Sequence, residues 1–263
     1  MISLMTMLWS LTAQAEPEYS TVPWTKEQAQ SLQKGEKEIA VFGPLRLGLG
    51  KGWDIQIQPI AFFWAPGAMA KKELWSEGDH QIAMSMGGLY PTPLLNTLAR
   101  AGIGGVLAPD IEIPKLPKLK LMGHYTWQPN QHAMTVWQRI DVVPMAGQYD
   151  EEEVIEAGGF PYTSIDAPLA YPRTAVLRSG LALQTGVAFH GSFAARWQYE
   201  WKSGFWILPT LDDHRWAYEE QMMLRFLPKP NRALQLGTIC TITEFPYGLQ
   251  WHLLPTLDAR WFW

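Results

Sequence analysis

The sequence has a single cysteine, Cys240, among 263 residues. A disulfide framework needs paired cysteines and a thiolate metal cluster needs several, so neither is expected. After residue 15 the chain also lacks an uncharged apolar run of the roughly 18 residues that a membrane-spanning helix requires. A helical membrane protein is therefore excluded. The formal net charge is −4, which gives no sign of the basic patch typical of nucleic-acid-binding proteins.

Cofactor and metal signatures are also missing. The histidines His80, His124 and His190 fall on one face of their predicted strands, but their spacing lacks the regularity of a metal site. The glycine-rich stretch 102–107 has neither the Lys-Ser/Thr pair nor the following helix of a phosphate-binding loop. We expect no metal, no cofactor and no nucleic-acid partner.

Aromatic residues are abundant instead, with 14 tryptophans in the chain. The stretch 193–202 alternates apolar and aromatic residues with Arg196, Gln198, Glu200 and Lys202, and 249–263 alternates in the same way. Such strands have one apolar face and one polar face. Together with tryptophans near the strand ends, the alternation is typical of a membrane β-barrel, which carries aromatic girdles at both lipid boundaries.

The pattern divides the chain into three parts. Residues 1–15 form an apolar run that ends on Ala13-Gln14-Ala15, a pattern typical of a signal peptide, although the usual positive charges before the run are missing. An apolar N-terminal strand or helix is the alternative interpretation. Residues 16–37 have no strand pattern and are predicted to be a periplasmic lead-in, and residues 38–263 are predicted to be the barrel.

Eleven segments of the barrel region alternate or are strand-like. They are 38–48, 53–63, 67–75, 79–90, 117–127, 131–142, 172–190, 193–202, 213–227, 232–244 and 249–263. Single-chain bacterial barrels have an even number of strands, so the sequence predicts an all-β, antiparallel transmembrane barrel of ten or twelve. We consider 172–190 the segment most open to misassignment. Glu220 falls on the apolar face of its strand, where a bulge would restore the register.

Two long inserts interrupt the hairpins. Residues 91–116 begin with a predicted short helix, Pro93 to Ala101, and residues 143–171 contain five carboxylates between Asp150 and Glu156. Long loops of a barrel lie outside it or fold into its lumen. Because Leu94, Leu95 and Leu98 would otherwise expose apolar surface, we expect the 91–116 loop to fold inward and partly plug the lumen.

The hairpin "FGPLRLGLGKGWDIQIQP" resembles hairpins that recur in uncharacterised outer-membrane β-barrels of Gram-negative bacteria. The segments "LYPTPLL", "GIGGVLAP", "LAYPRTAV" and "QWHLLPTLDARWFW" also resemble parts of such proteins, from about residue 36 onward. The last segment is similar to their C-terminal insertion signal, although it ends on Trp263 instead of the commoner phenylalanine. The resemblance implies export to the bacterial outer membrane and partners in its lipid and in the barrel assembly machinery. It implies no substrate.

Strand alternation assigns side chains to the two faces of the barrel. The charged residues predicted to face the lumen are Arg46, Asp54, Lys118, Lys120, Arg196, Glu200, Lys202, Glu219, Arg225, Asp258 and Arg260. The tryptophans predicted to lie at the lipid boundary are Trp197, Trp201, Trp216, Trp251, Trp261 and Trp263. Charges of both signs on the lumen face indicate ion pairs across the interior, and a lumen filled in this way conducts poorly.

Three functions remain open. The first is a non-enzymatic barrel, either a narrow channel for small solutes or a structural protein. The second is a barrel-embedded hydrolase in which Asp212 and His214, two residues apart, supply a general base. A solvated turn is the favoured interpretation of that pair, because aspartate is common in turns. The third is a soluble secreted β-barrel that binds a ligand.

The closing strand gives a first testable prediction. Deletion of Trp261 to Trp263 removes its boundary aromatics, so we expect the shortened protein to be exported but not inserted. The measurement is the heat-modifiable migration of the membrane fraction on gels. A normally migrating barrel in the outer membrane would contradict this prediction.

Overall fold

The computed structural model of the protein describes residues 27–59, 62–63, 65–100, 115–144, 176, 179–210, 215–245 and 248–263. Within these residues lie twelve β-strands and a helix, α1 (Thr92–Arg100). The strands are β1 (Lys37–Ala40), β2 (Leu45–Gly50), β3 (Trp53–Ile57), β4 (Gly67–Glu77), β5 (His80–Leu89), β6 (Lys118–Trp127), β7 (His132–Val142), β8 (Leu181–Ala194), β9 (Trp197–Ile207), β10 (Trp216–Lys229), β11 (Arg232–Phe245) and β12 (Gly248–Phe262).

The twelve strands form one closed barrel. Each strand pairs antiparallel with the next one in the chain, and β1 also pairs with β12. At this seam Ile39 lies opposite Trp261, and Lys37 and Trp263 exchange two backbone hydrogen bonds of 2.7 and 3.0 Å. The predicted all-β antiparallel barrel with an even number of strands is confirmed, and the number is twelve. The short helix predicted in the 91–116 loop is present as α1.

The segment 38–48, predicted as one strand, is in fact two. β1 ends at Ala40 and β2 begins at Leu45, with a reversal at 41–44. Gly43 permits this tight turn, since a Cβ on it would lie 2.7 Å from the Cβ of Ala40, and Pro44 cannot donate to a sheet. This division, and not an error in 172–190, explains why the sequence yields eleven segments.

The two ends of the barrel differ in their connections. At the short-turn end the connections are 51–52, 78–79, 128–131, 195–196 and 230–231. At the opposite, long-loop end they include 58–66, 90–117, 143–180 and 208–215. β1 begins and β12 ends at the short-turn end. This asymmetry is typical of outer-membrane barrels, whose periplasmic turns are short and whose extracellular loops are long.

Exposure alternates along the strands as the sequence predicts. On β10 Met222 and Leu224 are exposed, whereas Met223 and Arg225, which alternate with them, are buried. Aromatic rings pack near both strand ends: Trp197 lies 5.0 Å from Phe226 between ring centroids, and Phe205 lies 5.9 Å from Trp216. The outer face is therefore apolar with aromatic borders, and the inner face is polar.

The six predicted boundary tryptophans differ in how far their side chains are exposed. Trp197, Trp251, Trp261 and Trp263 are exposed, whereas Trp201 and Trp216 are half-buried. Trp201 has a second role, because its Nε1 donates a hydrogen bond of 2.6 Å to Glu220. No bulge lies at Glu220: the register shift in β10 falls between Phe226 and Lys229. The carboxylate stays on the outer face and is stabilised there by a neighbouring donor.

Residues 27–36 of the predicted periplasmic lead-in form a segment that we call the strap. Residues 27–32 lie inside the barrel, where Ala29 and Leu32 are almost fully buried, whereas Gln33, Lys34 and Gly35 are exposed. Residues 16–26 are outside the described residues, as are the proposed signal segment 1–15 and the carboxylates of 150–156. No helix in the described ranges is long and apolar enough to cross a membrane.

Adjacent residues on β10 test the assignment of faces. Met222 is on the outer face near the middle of the strand, so Met222→Arg should reduce the stability in lipid by about 2–4 kcal/mol. Gln221 borders a cavity in the lumen, so Gln221→Arg should change stability little. Reversible urea unfolding in lipid vesicles measures both variants. Equal losses of stability would show that the faces are assigned wrongly.

Candidate functional site in the barrel lumen

Ion pairs join the seam of the barrel from the inside. Arg46 on β2 donates to Glu38 on β1 at 2.8 Å and to Asp54 on β3 at 3.4 Å. Glu38 also accepts from Arg260 on β12 at 3.1 Å, and Arg260 contacts Asp258 at 3.3 Å. The chain therefore uses one continuous charge network to link its first three strands to its last.

A second network lies near the long-loop end of β6 and β7. Asp141 is fully buried, lies 2.8 Å from the Lys118 ammonium and accepts two hydrogen bonds from Arg139. The Arg139 guanidinium also lies 4.7 Å from the centroid of the Trp206 ring. One carboxylate thus contacts two cations on this wall of the lumen.

A third network lies on β9 and β10. Glu200 contacts Lys202 at 2.5 Å and Arg225 at 3.2 Å, and Arg225 also donates to Gln198 at 3.1 Å. Lys202 continues the network to Glu27 of the strap at 2.8 Å. The strap is therefore part of the lumen's electrostatics.

Lys71 on β4 attaches the strap to the wall. Its ammonium is fully buried and donates to the carbonyl oxygens of Gln28 at 3.1 Å and Gln30 at 2.7 Å. The same nitrogen lies 3.4 Å from Asp54. A lysine is rarely buried without such partners, so its position depends on the strap as much as the strap depends on it.

Backbone donors of the strap also reach the wall. The Ala29 N–H donates to Thr126 Oγ1 at 2.8 Å, and the Leu32 N–H donates to Asp54 Oδ2 at 3.3 Å. These contacts use polar groups of β6 and β3, on separate parts of the barrel. The strap is thus anchored by directed hydrogen bonds instead of by a large apolar interface.

A serine and a histidine make a further anchor. His124 Nδ1 donates to the Glu27 carbonyl at 2.9 Å, so its Nε2 is free to accept from Ser85 Oγ at 2.8 Å. A Ser–His pair can serve as nucleophile and base. Here Ser85 is 1% exposed and does not border the lumen cavity. We interpret the pair as a structural one that positions the strap.

Gly48 on β2 is where the strap passes closest to the wall. A Cβ on this residue would lie 1.8 Å from the carbonyl oxygen of Gln33. Two backbone hydrogen bonds close the contact, from Gly35 N–H to Gly48 O at 3.0 Å and from Gly48 N–H to Glu36 O at 2.8 Å. Only a residue without a side chain fits at this position while the strap is in place.

Above the strap the lumen contains a cavity of about 430 Å³. It extends from Glu27 of the strap to residues that begin strands at the long-loop end, such as Gly67 and Lys118. Its walls include Lys120, Arg139 and Glu219. The volume lies within the range of small-molecule sites, and its lining combines charged and amide side chains with apolar residues such as Met122, Trp137 and Ile239.

The structure places the predicted lumen charges in three groups. Arg46, Asp54, Lys118, Glu200, Arg225 and Asp258 are buried, and Lys120, Lys202, Glu219 and Arg260 are half-buried on the walls. Arg196 differs, because the predicted strand 193–202 is interrupted by the turn at 195–196. Arg196 is exposed in that turn, where it accepts the Leu227 N–H on its carbonyl at 2.8 Å.

Several residues of the lumen were not predicted from the sequence. Lys71 is the main one. Lys71 and Lys72 are adjacent on β4, so one side chain faces the lumen and the other faces outward. The register shift between Glu73 and Trp75 makes it difficult to tell from the sequence which of the two faces the lumen. Arg139 and Asp141 alternate with apolar residues on β7 and could have been found by parity. Glu27 carries no local signal, because the strap has no strand pattern.

The alternative catalytic pair, Asp212 and His214, lies outside the described residues. Among the described residues no group of three or more His, Cys, Asp and Glu side chains is arranged to hold a metal ion. The chemistry within the described lumen is therefore that of ion pairs, hydrogen-bond donors and a cavity.

The seam network predicts a large effect of one substitution. Arg46→Met would leave Glu38 and Asp54 buried without their shared guanidinium, and we expect a loss of about 3–5 kcal/mol in unfolding free energy. Arg232→Met, at an exposed position, is the control and should have little effect. The measurement is urea unfolding in lipid vesicles. If the two variants lose similar stability, the network is not structural.

Comparisons with solved structures give distant similarities. An outer membrane channel, DcaP of Acinetobacter baumannii, aligns with 9% identity and a TM-score of 0.39 over 86% of this chain and 62% of that one. The outer membrane protein OmpT of Vibrio cholerae aligns with 8% identity and a TM-score of 0.42 over 84% and 64%. OccK8 (OprE) of Pseudomonas aeruginosa aligns with 10% identity and a TM-score of 0.43 over 84% and 56%.

This chain therefore spans less than two thirds of the length of each of these structures. No protein-family model matches the sequence, and no curated protein matches it either. The closed twelve-strand barrel rests on the strand pairing described above.

Proposed function

We propose that the protein is a narrow channel for small solutes in the bacterial outer membrane, with the strap as its constriction. One observation carries the proposal: a cavity of about 430 Å³ with charged side chains in its walls lies directly above a segment held by hydrogen bonds and ion pairs. The strap occupies the lumen below this cavity and so narrows the path of a solute.

The membrane location is supported by the surface of the barrel. Its outer face carries exposed apolar side chains such as Leu236 and Leu257, 62% and 66% exposed. An exposed apolar band of this kind with aromatic borders fits a lipid environment and does not fit a soluble binder. Outer-membrane lipid and the barrel assembly machinery are accordingly the proposed partners.

The loop 91–116 remains a second candidate for narrowing the lumen. Only 91–100 and 115–116 of this loop are described, and Leu116 is buried with its N–H donated to Thr92 Oγ1 at 2.9 Å. Inward folding of the rest of the loop stays a prediction. The strap and the loop approach the lumen from opposite ends, so their contributions can be separated by deletion.

A wall substitution tests the strap as a constriction. Gly48→Val should displace the strap, because a side chain here overlaps the Gln33 carbonyl, and single-channel conductance in planar bilayers should rise severalfold. Gly123→Val is the matched control, since a Cβ at Gly123 meets nothing within 4 Å. A variant lacking residues 16–34 should conduct like Gly48→Val. Heat-modifiable migration verifies that each variant is folded.

Unchanged conductance in both strap variants would contradict the channel proposal and favour a purely structural barrel. The hydrolase alternative predicts a different outcome. In that case His214→Ala would abolish hydrolysis of phospholipid vesicles or peptides by the purified barrel, while Gly48→Val would leave the resting conductance unchanged. Assays of both activities on the same preparations therefore separate the functions.

A further inference from the structure

One sector of the barrel's outer face carries polar side chains among its apolar ones. Most outward positions are apolar, as on β5, β6 and β12, where Met86, Leu121 and Leu257 are exposed. From β7 to β10 the outward residues instead include polar side chains, which we call the outer patch: Gln138, Thr185, Ser203, Tyr218 and Glu220. Each of four neighbouring strands carries at least one of these residues, with Val187 and Phe205 between them.

Glu220 is the centre of the outer patch. Its carboxylate accepts from Trp201 Nε1 at 2.6 Å and from the Tyr218 hydroxyl at 3.3 Å, and Ser203 Oγ donates to that hydroxyl at 3.1 Å. Ser203 and Tyr218 thus form a chain of donors that ends on the carboxylate, and Trp201 is a separate donor to it. Their arrangement fixes the acid at the surface of the barrel.

The carboxylate also lies deep in the apolar band. On β10 it is four residues from Trp216 and six from Phe226, the aromatic residues that border the band. A charged or strongly polar side chain at this depth is unfavourable against lipid tails and commonly marks a functional contact. Its two donors satisfy part of its hydrogen-bonding capacity, and an ionised carboxylate can accept about four bonds.

Gln138 is the complementary group. It is exposed on β7, three strands from Glu220, and its amide has two donor hydrogens. Residues paired across the sheet form a row from Gln138 through Thr185 and Phe205 to Tyr218. Glu220 lies two positions further along β10.

The two groups have similar depths. Residues paired across successive strands form a row that starts at Lys37, at the short-turn end of β1, and reaches Trp216, at the long-loop end of β10. From β1 to β10, each paired residue therefore lies closer to the long-loop end than the one before it. With ordinary strand spacing and tilt, paired residues are displaced along the barrel axis by about 3 Å from one strand to the next. Tyr218 is then about 9 Å above Gln138, and Glu220 about 5 Å below Tyr218.

We propose that the outer patch is the contact surface for a second copy of this chain. A two-fold axis along the membrane normal, between β8 and β9, brings β7 of each copy opposite β10 of the other. The Gln138 amide of one protomer then faces the Glu220 carboxylate of its partner, and the contact occurs twice. Such self-complementarity is the requirement of a two-fold interface.

The side chains nearest the axis include small ones, which lie between the larger Trp201 and Phe205 of β9. Val187 lies opposite Ser203 at the centre of the patch, with Thr185 beside it. Small residues are typical of membrane interfaces, where packing and polar contacts replace the hydrophobic driving force. A lipid would supply no fixed donor for Glu220 at this depth, whereas a second protomer supplies an amide.

Disulfide crosslinking in lipid vesicles tests the axis. In a Cys240→Ala background, Val187→Cys should give a crosslinked dimer, because residues at a two-fold axis meet their own copies. Met86→Cys is the matched control, exposed at a similar depth on β5, and should remain uncrosslinked at the same low protein-to-lipid ratio. Equal crosslinking at both positions, or none at either, overturns the proposal.

Analytical ultracentrifugation in detergent tests the polar contact. Glu220→Leu and Gln138→Leu should each raise the dimer dissociation constant by about tenfold, since each removes both symmetric contacts. Tyr125→Phe, on the outer face of β6, should leave it unchanged. A wild-type monomer or trimer overturns the proposal, as does a dimer unaffected by both leucine variants. Heat-modifiable migration shows that each variant is folded.

Discussion

Closure of the sheet is the constraint on which the rest of this structure depends. Backbone N–H and C=O groups have no water to bond within a lipid bilayer, so a β-protein there must join its first strand to its last. In this chain the join is short, because β1 has four residues and pairs with the end of β12. The inward charges compensate: Arg46, Glu38 and Arg260 link the strands on both sides of the seam. Backbone pairing and the ion pairs of the lumen therefore close the barrel together.

The paired charges of the lumen wall also determine what fills the interior. A wall lined with paired charges favours a polar occupant, and the strap supplies carbonyl oxygens to Lys71 and a carboxylate to Lys202. The strap enters from the short-turn end, beside the start of β1, so only a few residues separate it from the wall that it contacts. Gly48 leaves room for its backbone. The space above it remains as a cavity, bounded in part by Lys118 and Arg139.

The outer face follows a different rule, because lipid tolerates apolar side chains and penalises polar ones. Most of the face obeys it. The sector from β7 to β10 departs from it, and on β9 and β10 its donors hydrogen-bond to the Glu220 carboxylate and to one another. The same residue, Trp201, is both a member of the aromatic outer surface and a donor to Glu220. The inner and outer faces of β9 and β10 thus each carry a polar network, one around Glu200 and the other around Glu220.

The sequence alone determined the barrel, because a period of two is a local property: each residue's parity assigns it to one face, and alternating polar and apolar residues reveal both faces. It therefore predicted inward positions such as Asp54, Glu200 and Arg225. Pairing was decided only in the tertiary structure. Glu38 and Arg260 are 222 residues apart, and Ala29 and Thr126 are 97 apart, so no local pattern links them. The strap has no periodicity at all, since its shape is set by the wall around it. For the same reason the sequence did not predict the turn at 41–44, which divides one predicted strand into β1 and β2 and raises the number from eleven to twelve. The pairing of β1 with β12 on one side and with β2 on the other defines this turn.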